Sequence, residues 1–183
     1  MNRAEAMWIS NDNRIFEHVW LYKTTEGSVA DGWIMHSGED GYRIHYKIDV
    51  DASWRTRKVE ITKWGEQVIT MQLLSDGHGH WSDHQGNEIP ALSKCIDVDL
   101  YASPFTNTIA IQRLALQHLK SETINVVFVG LPELKAEPVR QKYTMINESL
   151  YHYEGLETGF TTELPIDSNR FVIDYPDFFH RIR

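Results

Sequence analysis

Several groups of residues in this chain have the types and spacing to do chemistry. His78, His80 and His84 crowd into SDGHGHWSDHQGN, where imidazoles two residues apart on a strand share a face and, with Asp83, offer donors that zinc accepts. The neighbouring glycines instead mark a hairpin tip, and no second group with metal spacing follows, so a solvated turn and no metal are expected. Asp97 and Asp99, in CIDVDL, project to one side of a strand, roughly 7 Å apart. Paired carboxylates divide acid and base roles when their surroundings separate their pKa values. The plainer use is to accept hydrogen bonds and an ion pair. Arg113 lies among Ile109, Ile111, Leu114 and Leu116, where an unpaired charge is costly, so Asp97 or Asp99 is its expected partner. Trp54, Arg55 and Arg57, in DASWRTRK, combine a stacking surface with guanidinium donors, as a sugar or carboxylate head group would need. No Ser-His-Asp order, G-x-S-x-G elbow, P-loop or dinucleotide fingerprint appears, so no catalytic residue is assigned and no cofactor is expected.

The elements that must position these residues are strands. YRIHYKIDV sets Tyr42, Ile44, Tyr46, Ile48 and Val50 against Arg43, His45, Lys47 and Asp49, the alternation of a half-buried antiparallel strand. RKVEITKW, QVITMQLL, VRQKYTMIN, GFTTELPI and RFVIDY repeat that period of two. The last is expected to carry Phe171, Ile173 and Tyr175 on one face. Between such runs lie TTEGS, HSGEDG, SDGHGH, DHQGNE and IDSNR, whose Gly, Asn and Asp suit hairpin turns. Roughly ten or more strands would curl, so the expected fold is all-β, a strongly curled antiparallel sheet forming a barrel, half-barrel or pair of packed sheets. One short helix is expected near residues 107–117, N-capped by Thr106 or Asn107 and carrying Ile109, Leu114 and Leu116 inward.

Composition narrows the partners. A chain of 183 residues fits one domain, 1–183, with 42% hydrophobic residues to form a core. Lys and Arg total 18 against 26 acids, a net charge of -8, which disfavours nucleic acid. The single cysteine, Cys95, precludes an internal disulfide and suits a reducing compartment as a buried thiol. MNRAEAMWISNDNR lacks the apolar core of a signal peptide, and residues 124–131, the longest apolar run, are too short to span a bilayer. A cytoplasmic protein with no integral membrane segment is expected. Six Trp, eight Tyr and seven Phe fall largely on strands that also carry charge, the usual lining of a small-molecule pocket or the filling of a solid core.

Residues 49–61 (DVDASWRTRKVEI), GHGHW, CIDVDLYASPFTNTIAIQRLAL, LPEL, QKYT and GFTTELPIDSNRFVIDYPDFFHR together resemble a bacterial family described as putative glycolipid-binding proteins. The most specific piece is residues 103–114, with Pro104, Phe105, Thr106 and Asn107 at its head. Ala110 stands where the family usually has Pro, and Ser103 where it usually has Thr; the GHGHW histidines are not part of the pattern. The resemblance implies a single curled antiparallel domain similar to lipoprotein carriers of the bacterial envelope. The leading expectation is a non-catalytic binding protein for an amphiphile such as a glycolipid or acyl chain. Its pocket would be lined by Trp20, Tyr46, Trp54, Tyr143 and Phe160, with Arg57 or Arg113 at the polar end. In this scheme Asp97, Asp99 and residues 104–107 form a structural plug. The alternatives are a small-substrate enzyme using Asp97 or Asp99 with Arg113, and an interaction domain without a ligand.

Overall fold

The computed structural model describes residues 3–38 and 41–183; Glu39 and Asp40 of the HSGEDG turn lie outside the described residues. Seven strands follow one another as an antiparallel meander: β1 (Arg3–Ser10), β2 (Ile15–Lys23), β3 (Gly27–His36), β4 (Tyr42–Asp51), β5 (Thr56–Trp64), β6 (Ile69–Ser75) and β7 (Trp81–Asp83). A second sheet holds β8 (Asp97–Leu100), β9 (Ser121–Gly130), β10 (Lys135–Asn147), β11 (Leu150–Gly155) and β12 (Phe160–Pro165), in spatial order β12-β11-β10-β9-β8. The chain then returns to the first sheet through β13 (Asp174–Tyr175) and β14 (Phe179–Arg181), and β14 pairs with β1. The sheets are antiparallel apart from one pair, curled but not closed, which makes the half-barrel the form taken among those the alternating pattern allows.

Period-two patterning carries directly into burial. In β4, Tyr42, Ile44, Tyr46, Ile48 and Val50 are all buried while Arg43 and Lys47 are exposed. In β2 the inward parity takes Glu17, Val19 and Leu21, leaving His18 and Trp20 on the other face. Gly32, opposite Tyr46 in the ladder, has no side chain because a Cβ there would collide with the Tyr46 ring. That hole lets the tyrosine lie across β3 and reach Glu17, whose carboxylate accepts its hydroxyl proton at 2.7 Å.

From Val126 to Val129 β9 is covered on both faces, as its continuous apolar run requires. Val127 and Val129, with Val98 and Leu100 of β8, join the core of the first sheet. On the opposite face Val126 packs with Tyr143, Tyr151 and Leu164 under Ala110 and Ile111 of the helix.

Three expectations need correction. The helix, α1, spans Thr106–Leu114 rather than 107–117, and Phe105 occupies its N-cap with no side-chain capping bond. Thr106 and Asn107 are instead drawn into contacts with β8 and with Pro104. The chain leaves the helix at Ala115, whose left-handed φ of 43° ends it early. Antiparallel pairing also has one exception, since β8 and β9 run parallel. Parallel neighbours need a crossover connection, and α1 supplies it. RFVIDY is not a regular strand: only Asp174 and Tyr175 are extended in a ladder, Phe171 and Val172 are both buried, and Ile173 is 40% exposed. Packing breaks the parity here. Phe171 lies against the rings of Trp8 and Phe105, and the Val172 carbonyl accepts the Trp8 indole N–H at 2.8 Å.

Candidate ligand-binding site

The Ser103–Asn107 segment is fastened to both sheets by buried polar groups. Asp97, its side chain 1% exposed, takes a two-armed grip from Arg113, with Nε at 2.7 Å and Nη2 at 2.6 Å. Burial pushes the Asp97 carboxyl above its ordinary range, and the guanidinium opposes that push. Asp99 accepts the Thr106 hydroxyl proton at 2.7 Å and the Gln141 amide at 2.6 Å. Burial raises it to about 6 despite those bonds. The Tyr143 hydroxyl lies between Asn107 Oδ1 at 2.9 Å and Gln141 Oε1 at 3.2 Å. From the first sheet, fully buried Glu17 accepts the Ser103 and Tyr46 hydroxyl protons and faces the Phe105 N–H. Burial raises its carboxyl to about 7.

Beside this segment opens a pocket of about 510 Å³, within the usual range for small-molecule sites. Its walls come from the second sheet, the β1–β2 turn and the β13–β14 hairpin. Phe128, Tyr153 and Phe160 face Tyr175 and Phe178, with Asp99 among the lining residues. The rings form a continuous train from the core outward. Tyr143 meets Tyr153 edge-on at 5.3 Å between centroids, and Tyr153 lies 6.2 Å from Phe160. Phe160 lies nearly parallel to Tyr175 and edge-on to Phe178. Phe178 is 46% exposed at the outer end. Burial raises the Tyr153 and Tyr175 phenols well above their ordinary range, and the nearby charge of Asp99 adds to it.

Of the seven residues expected to contact ligand, Phe160 lines this pocket. Tyr143 lies beneath it, bonded to Asn107, which does line it. Pro104 and Asp99 line it too, Thr106 holds Asp99, and Phe105 is fully buried against Phe171. The others lie elsewhere. Trp20 meets His18 edge-on and lies under Arg3, 5.5 Å from its guanidinium carbon, outside the pocket lining. Tyr46 is a core residue, and Trp54 holds a left-handed φ of 63° in the β4–β5 turn. Arg57 donates to the Ser75 carbonyl at 3.1 Å and lies near Asp51, and Arg113 is engaged by Asp97. His80 binds Asp76 at 2.8 Å, and among the described residues no three His, Cys, Asp or Glu side chains converge on a cation position.

The sequence reading assigns no role to Glu17, Tyr153 or Phe178, and gives Tyr175 only a place on a strand face. Parity alone could have found Glu17, an acid on the inward face of IFEHVWLYK. Tyr153 shares its face with Tyr151, as the alternation of LYHYEG shows. Phe178 carries no periodic signal, because its place depends on a strand pairing that joins the two ends of the chain.

An all-β half-barrel with one crossover helix and an aromatic pocket beside it is therefore the class of protein that these residues define. The chain belongs to the family described as "Putative glycolipid-binding", which matches residues 5–181. It is also similar to the crystal structure of a DUF1089 family protein from Pseudomonas aeruginosa, at 34% identity over 92% of each chain and a TM-score of 0.85. No curated protein matches the chain.

Proposed function

We propose that the protein is a non-catalytic binding protein for an amphiphile such as a glycolipid, held by one domain in the pocket between Phe160, Tyr175 and Phe178. The observation that carries this reading is the joining of an open aromatic wall to the carboxyl of Asp99 in one cavity. Apolar rings take the chain and flat sugar faces, while a few convergent polar groups fix the head. Each methylene buried contributes about 0.8 kcal/mol, so a short alkyl chain already gives useful affinity. The family description agrees with this ligand class. The lone buried thiol of Cys95 favours a cytoplasmic setting, and no helix among the described residues is long and apolar enough to cross a membrane.

Native mass spectrometry of the gently purified protein, followed by organic extraction, tests the reading. An extra mass that disappears on extraction and is recovered as a lipid is expected. A homogeneous apo mass that stays unchanged on adding alkyl glycosides would count against it.

One observation favours a second reading. A carboxyl raised to about 6 in an open cavity is suited to act as a general base, and Asp99 is such a group. Arg113, held by Asp97, would not assist it directly. Turnover of a nitrophenyl glycoside that vanishes in Asp99→Asn would favour an enzyme over a carrier.

A further inference from the structure

Building on the amphiphile reading, we infer that the pocket selects an uncharged, hydroxyl-bearing head group such as a sugar ring and rejects an anionic head on the same alkyl chain. Its lining includes the carboxylates of Asp12, Asp99 and Asp177 and contains no Lys, Arg or His. Of the basic groups on the surrounding elements, Arg113 is held by Asp97 and Arg181 by Asp167, while Arg14 at 3.9 Å from Asp12 and His180 at 3.2 Å from the Asn11 amide oxygen lie on the solvent side, outside the lining. A phosphate, sulfate or carboxylate entering the pocket would approach Asp99 with no cation between them. Like charges brought together away from water repel strongly.

Hydroxyl groups fit the same atoms well. Each oxygen of Asp99 accepts one hydrogen bond from the protein, Oδ1 from Thr106 and Oδ2 from Gln141. A carboxylate has about four acceptor sites, so two remain for ligand protons. Tyr153 and Tyr175 also line the pocket, and among the described residues no hydrogen bond occupies their phenols. Those phenols donate as well as accept, and a sugar hydroxyl answers both roles. A quaternary ammonium would suit the rings and the charge but would leave the phenol protons without an acceptor.

The test is titration calorimetry at pH 7.5 with octyl β-glucoside, octyl sulfate and octyltrimethylammonium, each below its micelle concentration. The glucoside is expected to bind at least tenfold more tightly than the other two. Asp99→Asn should narrow the glucoside-to-sulfate ratio. Because Asp99 also anchors Thr106 and Gln141, Asp177→Asn at the rim serves as a second variant, expected to narrow the ratio less while remaining folded. Sulfate binding as tightly as glucoside, or ammonium binding most tightly, would overturn the head-group inference while leaving the amphiphile reading intact. Equal affinities for all three would do the same, showing that only the chain is recognised. Binding of none would overturn both.

Discussion

Arg113 binds Asp97 through both arms of its guanidinium, joining the C-terminal end of the crossover helix to the first residue of β8. The pair spans 16 positions of sequence and fixes how α1 lies on the second sheet. Removing one partner of a buried pair costs far more than the pair contributes, because the other charge is left without an answer. Arg113→Ala is expected to lower stability by about 3–5 kcal/mol. Urea unfolding followed by tryptophan fluorescence reads this directly, and an unchanged midpoint would mean that Asp97 is not held as described.

Glu17 gives stability a pH dependence of unusual sign for an acid. Its carboxyl titrates at about 7 in the fold against an ordinary 4.5, so the native state holds more protons than the unfolded chain between those values. Stability from this site is therefore fully present below about 4.5 and falls as pH rises toward 7. The difference between wild type and Glu17→Gln should change by about 3 kcal/mol across that window. Denaturation midpoints at a series of pH values for both proteins measure it; parallel curves would show that Glu17 does not titrate there.

Cys95 should be silent in the folded protein. It is fully buried, and burial pushes its thiol up to about 11, so almost no thiolate forms at pH 8. A disulfide reagent is expected to label one thiol per chain only after denaturant is added. Rapid labelling of the native protein would contradict this burial.

The outer end of the aromatic train can be trimmed without touching the core. Phe178 is half-exposed and meets Phe160 and Tyr175 edge-on. Phe178→Ala is expected to weaken octyl β-glucoside binding about tenfold, or ~1.4 kcal/mol, with little change in unfolding midpoint. Calorimetry and a melting curve on the same sample separate the two effects.

Much of the scaffold is legible in the residues, and less of the site. β4 buries the positions that its alternation assigns inward, and the half-buried charge of Arg113 finds the buried Asp97 as the cost of an unpaired charge demands. Aromatic type alone did not locate the pocket. Tyr46 is as aromatic as Tyr175, but Tyr46 faces Glu17 in the core while Tyr175 borders the cavity. That distinction depends on β14 pairing with β1, a contact between the chain ends with no local periodic trace. RFVIDY misleads for a related reason: Phe171 and Val172 both pack inward as an irregular plug, which a period of two cannot express.

Ligand-induced shifts in a ¹H–¹⁵N spectrum test the central claim, that the pocket beside α1 receives the amphiphile. None of the chain's tryptophans lines that pocket, whereas Trp33 and Trp64 stack at 5.3 Å beside Arg43, flanking a smaller groove. Octyl β-glucoside is expected to shift the amides of Tyr101, Ser103, Tyr153, Phe160 and Phe178 and leave the Trp33 and Trp64 indole signals in place. Shifts confined to those two indoles and their neighbours would put the ligand on the Trp33–Trp64 groove instead and contradict the account.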